Sequence, residues 1–388
     1  MCYISSNNNR VYVSLETSYG NVGVVTTQNR IPLVKLTAKQ VPEQTGRRDK
    51  TGSRTFVGLP NRIRKITDFQ LSTFMTEWTD QTQPPSHSPL FQAAMGAVPV
   101  TFMGGTIASI SNQTTLVFTA AHGLSVGQGV SFGGEMRFVA AIANDTTAVL
   151  NAPFTSLAAG GVLGITITYA LASDLGSVSI FDYWDPATVV QRILNGAAMN
   201  TMKVEVNGDF QEFIFAGPSK DLLDSTSFAS GQGGLTSFPT EPMDAGFDYT
   251  IVPGHLGQVW MGALPARFFT LTKAELQLDN GIDLRVKEFG NDSARCIAGG
   301  QRKVTLNFEI FEQDDDQTRG LYQSARQRSP ISVMFQLGEQ SGQLFGAYMP
   351  AMVPEVPEFD DAETRLQWKF QSSRAQGSVN DELYIAFG

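Results

Sequence analysis

Charge and the usual catalytic side chains are both scarce in this sequence. Asp, Glu, Lys and Arg make up 17% of 388 residues, with three histidines and two cysteines. Cys2 and Cys296 lie far apart and form no CxxC or other ligand spacing, so neither a disulfide framework nor a zinc site is indicated. His87, His122 and His255 have no second His or carboxylate at metal-ligand spacing, and no cofactor is expected. A long apolar run is missing too. The longest nearly charge-free stretch, Leu157 to Ala172, is broken by Gly160, Gly161 and Gly164. It reads as strand, turn, strand, whereas a membrane helix needs about 20 mostly apolar residues. The opening MCYISSNNNR has no basic region followed by an apolar one, so no secretion signal is expected. Basic residues (28) are fewer than acidic ones (37), giving a net charge of −9. A protein that grips phosphates needs a basic surface, so ordinary nucleic-acid binding is disfavoured. An acidic chain can still line a passage through which DNA slides.

The abundant residues point to β structure. There are 26 Phe and 37 Gly, and 42% of the chain is hydrophobic. Aromatics suit pleated, half-buried surfaces, and Gly suits the turns between strands. The length exceeds one typical core.

The chain also repeats itself. Leu36-Thr37 is answered by Leu271-Thr272, and R-K-I-T at Arg64 to Thr67 by R-K-V-T at Arg302 to Thr305. L-F-Q-A-A at Leu90 to Ala94 matches L-Y-Q-S-A at Leu321 to Ala325, and V-P-V-T-F from Val98 matches I-S-V-M-F from Ile331. The order is the same in both halves. After the second R-K-x-T, Val304, Leu306, Phe308 and Ile310 alternate with polar residues, which predicts a strand with one buried face. The first copy is less regular, and a bulge is expected near Asp68. The L-[FY]-Q phrase predicts a helix in each copy. Ser88 is the expected N-cap with Pro89 at the first helical position, and Gly96 ends the helix. In the second copy Asp314, Asp315 and Asp316 precede the helix and suit its positive end.

These patterns predict a mainly β, α+β chain of two tandem β-sandwich or barrel domains, each with one short helix. Domain 1 is expected to span 1–103 and 169–224, and domain 2 to span 250–388. Residues 104–168 read as an inserted small all-β domain with strands near 115–119, 129–132, 136–142 and 147–150. Residues 225–249, rich in Ser, Gly and Pro, read as a flexible linker.

No catalytic constellation emerges, and the chain is not expected to be an enzyme. His122 in T-A-A-H and Ser125 in G-L-S-V-G resemble pieces of hydrolase motifs. A nucleophile elbow, however, requires a strand before it and a helix after, and turn and strand follow here. The glycines at 231, 233 and 234 lack the context of a phosphate loop. Glu355, Glu358, Asp360, Asp361 and Glu363 lack the alternating ligands of a calcium loop and read as solvated.

The repeated unit, with its R-K-x-T strand, short helix and further strands, resembles the tail tube proteins of long-tailed bacteriophages. The inserted segment, with A-H-G-L-x-x-G-Q-x-V-x-F from Ala121, is similar to small β modules of phage virion proteins. The resemblance implies a structural subunit of the virion tail, assembled in the host cytoplasm. It also implies stacked rings of six domains around a tape-measure protein, ends met by terminator and distal tail or baseplate proteins, and DNA passing through the lumen. Two domains per chain would make each ring a trimer. Polar strand faces are the candidates for the lumen: Glu275, Gln277 and Asp279, and Lys203, Glu205 and Asn207. The same alternation also suits faces turned to outer solvent. Alternatives are a baseplate or distal tail ring, a serine hydrolase using Ser125 and His122, and a carbohydrate-binding module in 104–168.

Overall fold

The computed structural model describes residues 3–42, 49–55, 58, 64–206, 208–243, 249–362 and 364–388. The chain is mainly β, and its strands fall into two matching sets. The first opens with β1 (Asn9–Leu15), β2 (Arg30–Ile31), β3 (Leu33–Pro42) and β4 (Lys65–Phe74), then helix α1 (Ser88–Met95). Strand β5 (Val100–Phe102) leads into β6 (Gly105–Ser111), β7 (Thr115–Phe118), β8 (Gly129–Phe132), β9 (Glu135–Asn144), β10 (Thr147–Leu150) and β11 (Val162–Leu163). Strand β12 (Thr166–Ala170) returns beside β5. The first set then closes with β13 (Val178–Trp184), β14 (Arg192–Ala197), β15 (Thr201–Val206), β16 (Glu212–Ser219) and β17 (Asp221–Asp224).

The second set begins at β18 (Gly257–Gly262), β19 (Ala266–Phe268) and β20 (Leu271–Asp279). A short hairpin, β21 (Asp283–Leu284) and β22 (Ile297–Ala298), precedes β23 (Lys303–Phe311). Helix α2 (Asp316–Gln327) follows. Last come β24 (Ile331–Leu337), β25 (Phe345–Val353), β26 (Glu358–Asp360), β27 (Gln367–Ala375) and β28 (Tyr384–Phe387).

Pairing is antiparallel and follows one plan in both halves, with two additions in the second: β25 also pairs with one end of β27, and β28 continues into β12. In the first, one sheet runs β17-β14-β13-β1-β2, while β4 sits between β3 and β16, with β15 beyond. In the second, β28, β25, β24, β18 and β19 repeat the first sheet, and β20, β23, β27 and β26 repeat the second. Each half is thus an outer five-strand sheet over an inner four-strand one, with apolar side chains meeting between them.

Two letter matches are corrected by this pairing. V-P-V-T-F falls on β5, which pairs only with β12, whereas I-S-V-M-F opens β24, whose counterpart is β13. The stem that carries the insertion stands between α1 and β13 and displaces the match. R-K-I-T and R-K-V-T lie at the starts of equivalent strands but with opposite facing: Thr67 is buried and Thr305 is half-buried. The expected bulge is also elsewhere. Thr67, Phe69 and Leu71 alternate inward without interruption past Asp68, and the register slip of β3 on β4 falls between Leu33 and Lys35.

Helix α1 ends where expected and begins one residue early. Gly96 ends it at φ +92°, a conformation open to Gly without strain. The N-cap is His87, one residue earlier than expected, with no side-chain capping bond. In α2 the Asp315 carboxylate accepts from the Thr318 amide at 2.6 Å. The helices differ in depth. Phe91 of α1 lies at the centre of the core, against Phe213 and Phe215 from the first half and Phe345 and Phe387 from the second.

The strands from β6 to β11 form a six-strand sheet with its own core around Ile107, Leu116, Val130, Val139 and Leu150. This module docks on the outer sheet of the second half. Phe138 stacks on Tyr348 at 5.2 Å, and the Met136 amide donates to Gln336 Oε1 at 2.7 Å. The segment 225–243 does a matching task for the first half, so its described part is a strap and not a free linker. Leu235 and Phe238 cover Tyr12, Phe181 and Tyr183, and Tyr183 Oη donates to the Pro239 carbonyl at 3.2 Å. Arg10 clasps Glu241 with two nitrogens. An outer sheet that is apolar on both faces requires such a cover.

Candidate assembly surface

The inner sheets of the two halves join edge to edge. Strand β15 pairs antiparallel with β20, Thr201 opposite Asp279 and Val206 opposite Ala274. The result is a continuous eight-strand sheet in the order β3-β4-β16-β15-β20-β23-β27-β26. Period-two alternation turns Met202, Val204, Leu276 and Leu278 into the core and the polar residues to the other face.

Five of the six candidate residues meet at this seam. Lys203 stands opposite Gln277, and Glu205 opposite Glu275. Lys203 Nζ reaches Glu275 Oε1 at 3.4 Å, which relieves the two opposed carboxylates. The Asp279 carboxylate accepts from the Gly281 amide at 2.9 Å and ends the strand. Asn207 lies outside the described residues.

The rest of the polar face carries a charge ladder that sequence reasoning missed. Lys273 stands opposite Glu309, Glu309 opposite Lys369, and Lys369 opposite Glu358, so signs alternate across four strands. Asp279 likewise faces Lys303. The hydrogen bond from Lys369 holds the Asp360 carboxyl below the usual carboxylate range. The signal was present in the single lysine that each of β20, β23 and β27 carries on its polar face, but only the register shows that each meets an acid. The acidic run expected to be a solvated loop is partly edge strand: Glu358 to Asp360 are β26, while Glu363 lies outside the described residues.

The eight-strand sheet ends in two unpaired edges among the described residues. Strand β3 pairs only with β4, and β26 only with β27. Unpaired edges are liabilities that solitary proteins blunt with charge, proline or a cover. Here both edges carry exposed apolar residues among their charged ones, Val34 and Val41 beside Lys35 and Lys39 on β3, and Phe359, 58% exposed, between Glu358 and Asp360 on β26. Phe359 stacks on Trp368, with Tyr322 of α2 beside both rings. Tyr322 holds the place in its helix that Phe91 holds in α1. Phe91 is enclosed by both halves, whereas Tyr322 has aromatic neighbours from its own half alone.

The hydrolase pair does not form. The Leu124 amide donates to His122 Nδ1 at 2.9 Å, and Nε2 lies 3.1 Å from the Asn144 carbonyl, so both ring nitrogens are held by backbone. Neither reaches Ser125. Among the described residues no group of His, Cys, Asp and Glu could hold a metal ion, Cys296 is a free thiol, and no helix is long and apolar enough to cross a membrane. Set against known protein families and curated proteins, the chain matches none.

Proposed function

We propose that this chain is a structural subunit of a bacteriophage tail tube, with three chains per ring and rings stacked into a conduit for DNA. The observation that carries the reading is the β15–β20 seam. It joins the last inner strand of one half to the first inner strand of the other, and both partners of that seam recur, unpaired, at the chain's two edges. A β26 edge meeting the β3 edge of the next chain repeats the seam between molecules. A head-to-tail contact of this kind closes into a ring when its rotation closes, and closure removes every free edge of the inner sheet.

The alternating charges suit such a passage. Lys39, Lys203, Lys273, Lys303 and Lys369 each stand opposite or beside an acid, and Lys35 stands opposite Ser72, so phosphates meet no continuous basic track on which to stick. The tape-measure protein inside the tube, the terminator and distal tail or baseplate proteins at its ends, and a place in the virion tail belong to the same proposal. The inserted module, docked on the outer sheet, is on the side away from the passage.

Native mass spectrometry tests it. A species of three times 42.1 kDa is expected, with multiples of it as rings stack. A protein that remains at the single-chain mass at high concentration would contradict the proposal. Trimers that never stack would favour a distal tail or baseplate ring.

A further inference from the structure

The inserted module carries an open cleft of about 750 Å³ that the assembly surface does not use. One wall is the β6–β7 turn, the other the loop 153–159. Ile110, Phe154 and Leu157 give it an apolar floor, and Ser109, Asn112 and Gln113 a polar rim. None of its lining residues is ionisable. We infer that this cleft binds a neutral carbohydrate.

Three features carry the inference. The volume lies in the range of small-molecule sites, about 300–1,000 Å³. Amides and hydroxyls beside apolar carbon match a ligand with hydroxyls on its rim and C–H groups on its faces. The absence of charge disfavours phosphorylated, sulfated or acidic ligands, whose desolvation nothing in the cleft would offset. Second, Asn112 and Gln113 both take positive φ, +51° and +63°. A left-handed pair is unusual outside Gly, particularly for Gln, and it places two amide side chains together at the cleft rim.

Third, the opposite wall is fastened from behind by a fully buried arginine. Arg137 Nε donates to the Pro153 carbonyl at 2.8 Å, and its guanidinium lies 5.2 Å from the Phe154 ring. Glu135, paired with Arg137 at 3.1 Å, accepts from the Thr155 amide and hydroxyl, each at 2.7 Å. Gln258 and Trp260 of the second half complete the cluster. Burying an ion pair is costly, and here it holds a surface loop of the module in one conformation. Such a shell removes the ordering cost that a loop-built site otherwise imposes on binding.

The test is saturation-transfer NMR on the full chain with maltose, cellobiose, lactose and chitobiose, and with glucose 6-phosphate and sialyllactose as charged probes. At least one neutral disaccharide is expected to receive magnetisation through its C–H protons. Gln113→Gly, which suits the positive φ, and Ala158→Glu, which places charge at the cleft, are each expected to weaken that binding about tenfold or more. Val126→Glu, outside the cleft, is expected to leave it unchanged. Thermal midpoints of the three variants confirm that each is folded. Transfer to none of the neutral sugars, binding untouched by both cleft variants, or preference for the charged probes would overturn the inference. Ring formation plays no part in the readout, so this result and that of the assembly proposal are independent.

Discussion

Lys203 and Glu275 belong to different halves of the chain, yet Nζ and Oε1 lie 3.4 Å apart across the strand pair that fuses those halves. On the opposite face Val204 stands against Leu276, both buried. The two faces of the seam contribute unequally. The ion pair is partly exposed, so Lys203→Met is expected to cost about 0–1 kcal/mol. Leu276→Ala removes buried carbon and is expected to cost about 2–5 kcal/mol. Urea unfolding of both variants checks the ranking, and a larger loss from Lys203→Met would contradict it.

The unpaired edges yield a second prediction. Val34→Asp on β3 and Phe359→Asp on β26 put charge where the next chain is expected to pair. Each variant alone should remain folded by circular dichroism and lose higher-order species in native mass spectra. Phe359→Asp also gives up its stacking on Trp368, so its midpoint should fall further than that of Val34→Asp. Assembly unaffected by either would show that these edges are not the contacts.

A third concerns pH. His87 is fully enclosed, its Nε2 3.3 Å from Thr73 Oγ1 and its ring edge-on to Phe213, and burial pulls the imidazole down to about 4. The native state therefore holds it neutral, while the unfolded chain takes up a proton near pH 6.5. Stability from this group is complete above about pH 6.5, declines as pH falls, and levels off below about 4. The loss amounts to about 3 kcal/mol. His87→Gln should flatten the difference in unfolding free energy between pH 7 and pH 4.5. Equal slopes in the two proteins would refute the assignment.

The fourth concerns the buried pair behind the inserted module. Burial pulls Arg137 down to about 10, still charged at neutral pH. Burial pushes Glu135 up, but the bonds from Thr155 and the charge of Arg137 together outweigh it, and its carboxyl stays below the ordinary value. Arg137→Met leaves that carboxylate buried without its cation and is expected to cost about 3–5 kcal/mol. Adding Glu135→Gln should recover part of the loss, because a neutral amide still accepts from Thr155. A double variant less stable than the single one would contradict this.

Much of the fold was legible because period and caps are local. The inward set Val304, Leu306, Phe308 and Ile310, the C-terminal limit of α1 and four strands of the inserted module, β7 to β10, follow from neighbouring letters. What depends on distant partners was not. Facing in β4 could not be inferred from R-K-x-T, since the same letters stand one step out of phase on the sheet. The segment 225–243 looked like a linker because Gly and Ser dominate it, and the aromatic face that binds it is made elsewhere. Of the site, the alternating polar positions on β15 and β20 were readable, but their meeting at one seam was not. Nor was the ladder from Lys273 to Glu358, because register is a property of the sheet and not of any one strand.

Negative-stain electron microscopy from dilute to concentrated protein addresses the central claim most directly. Hollow three-lobed rings, stacking into tubes of uniform width, are the predicted result. Single particles the size of one chain at every concentration would contradict it.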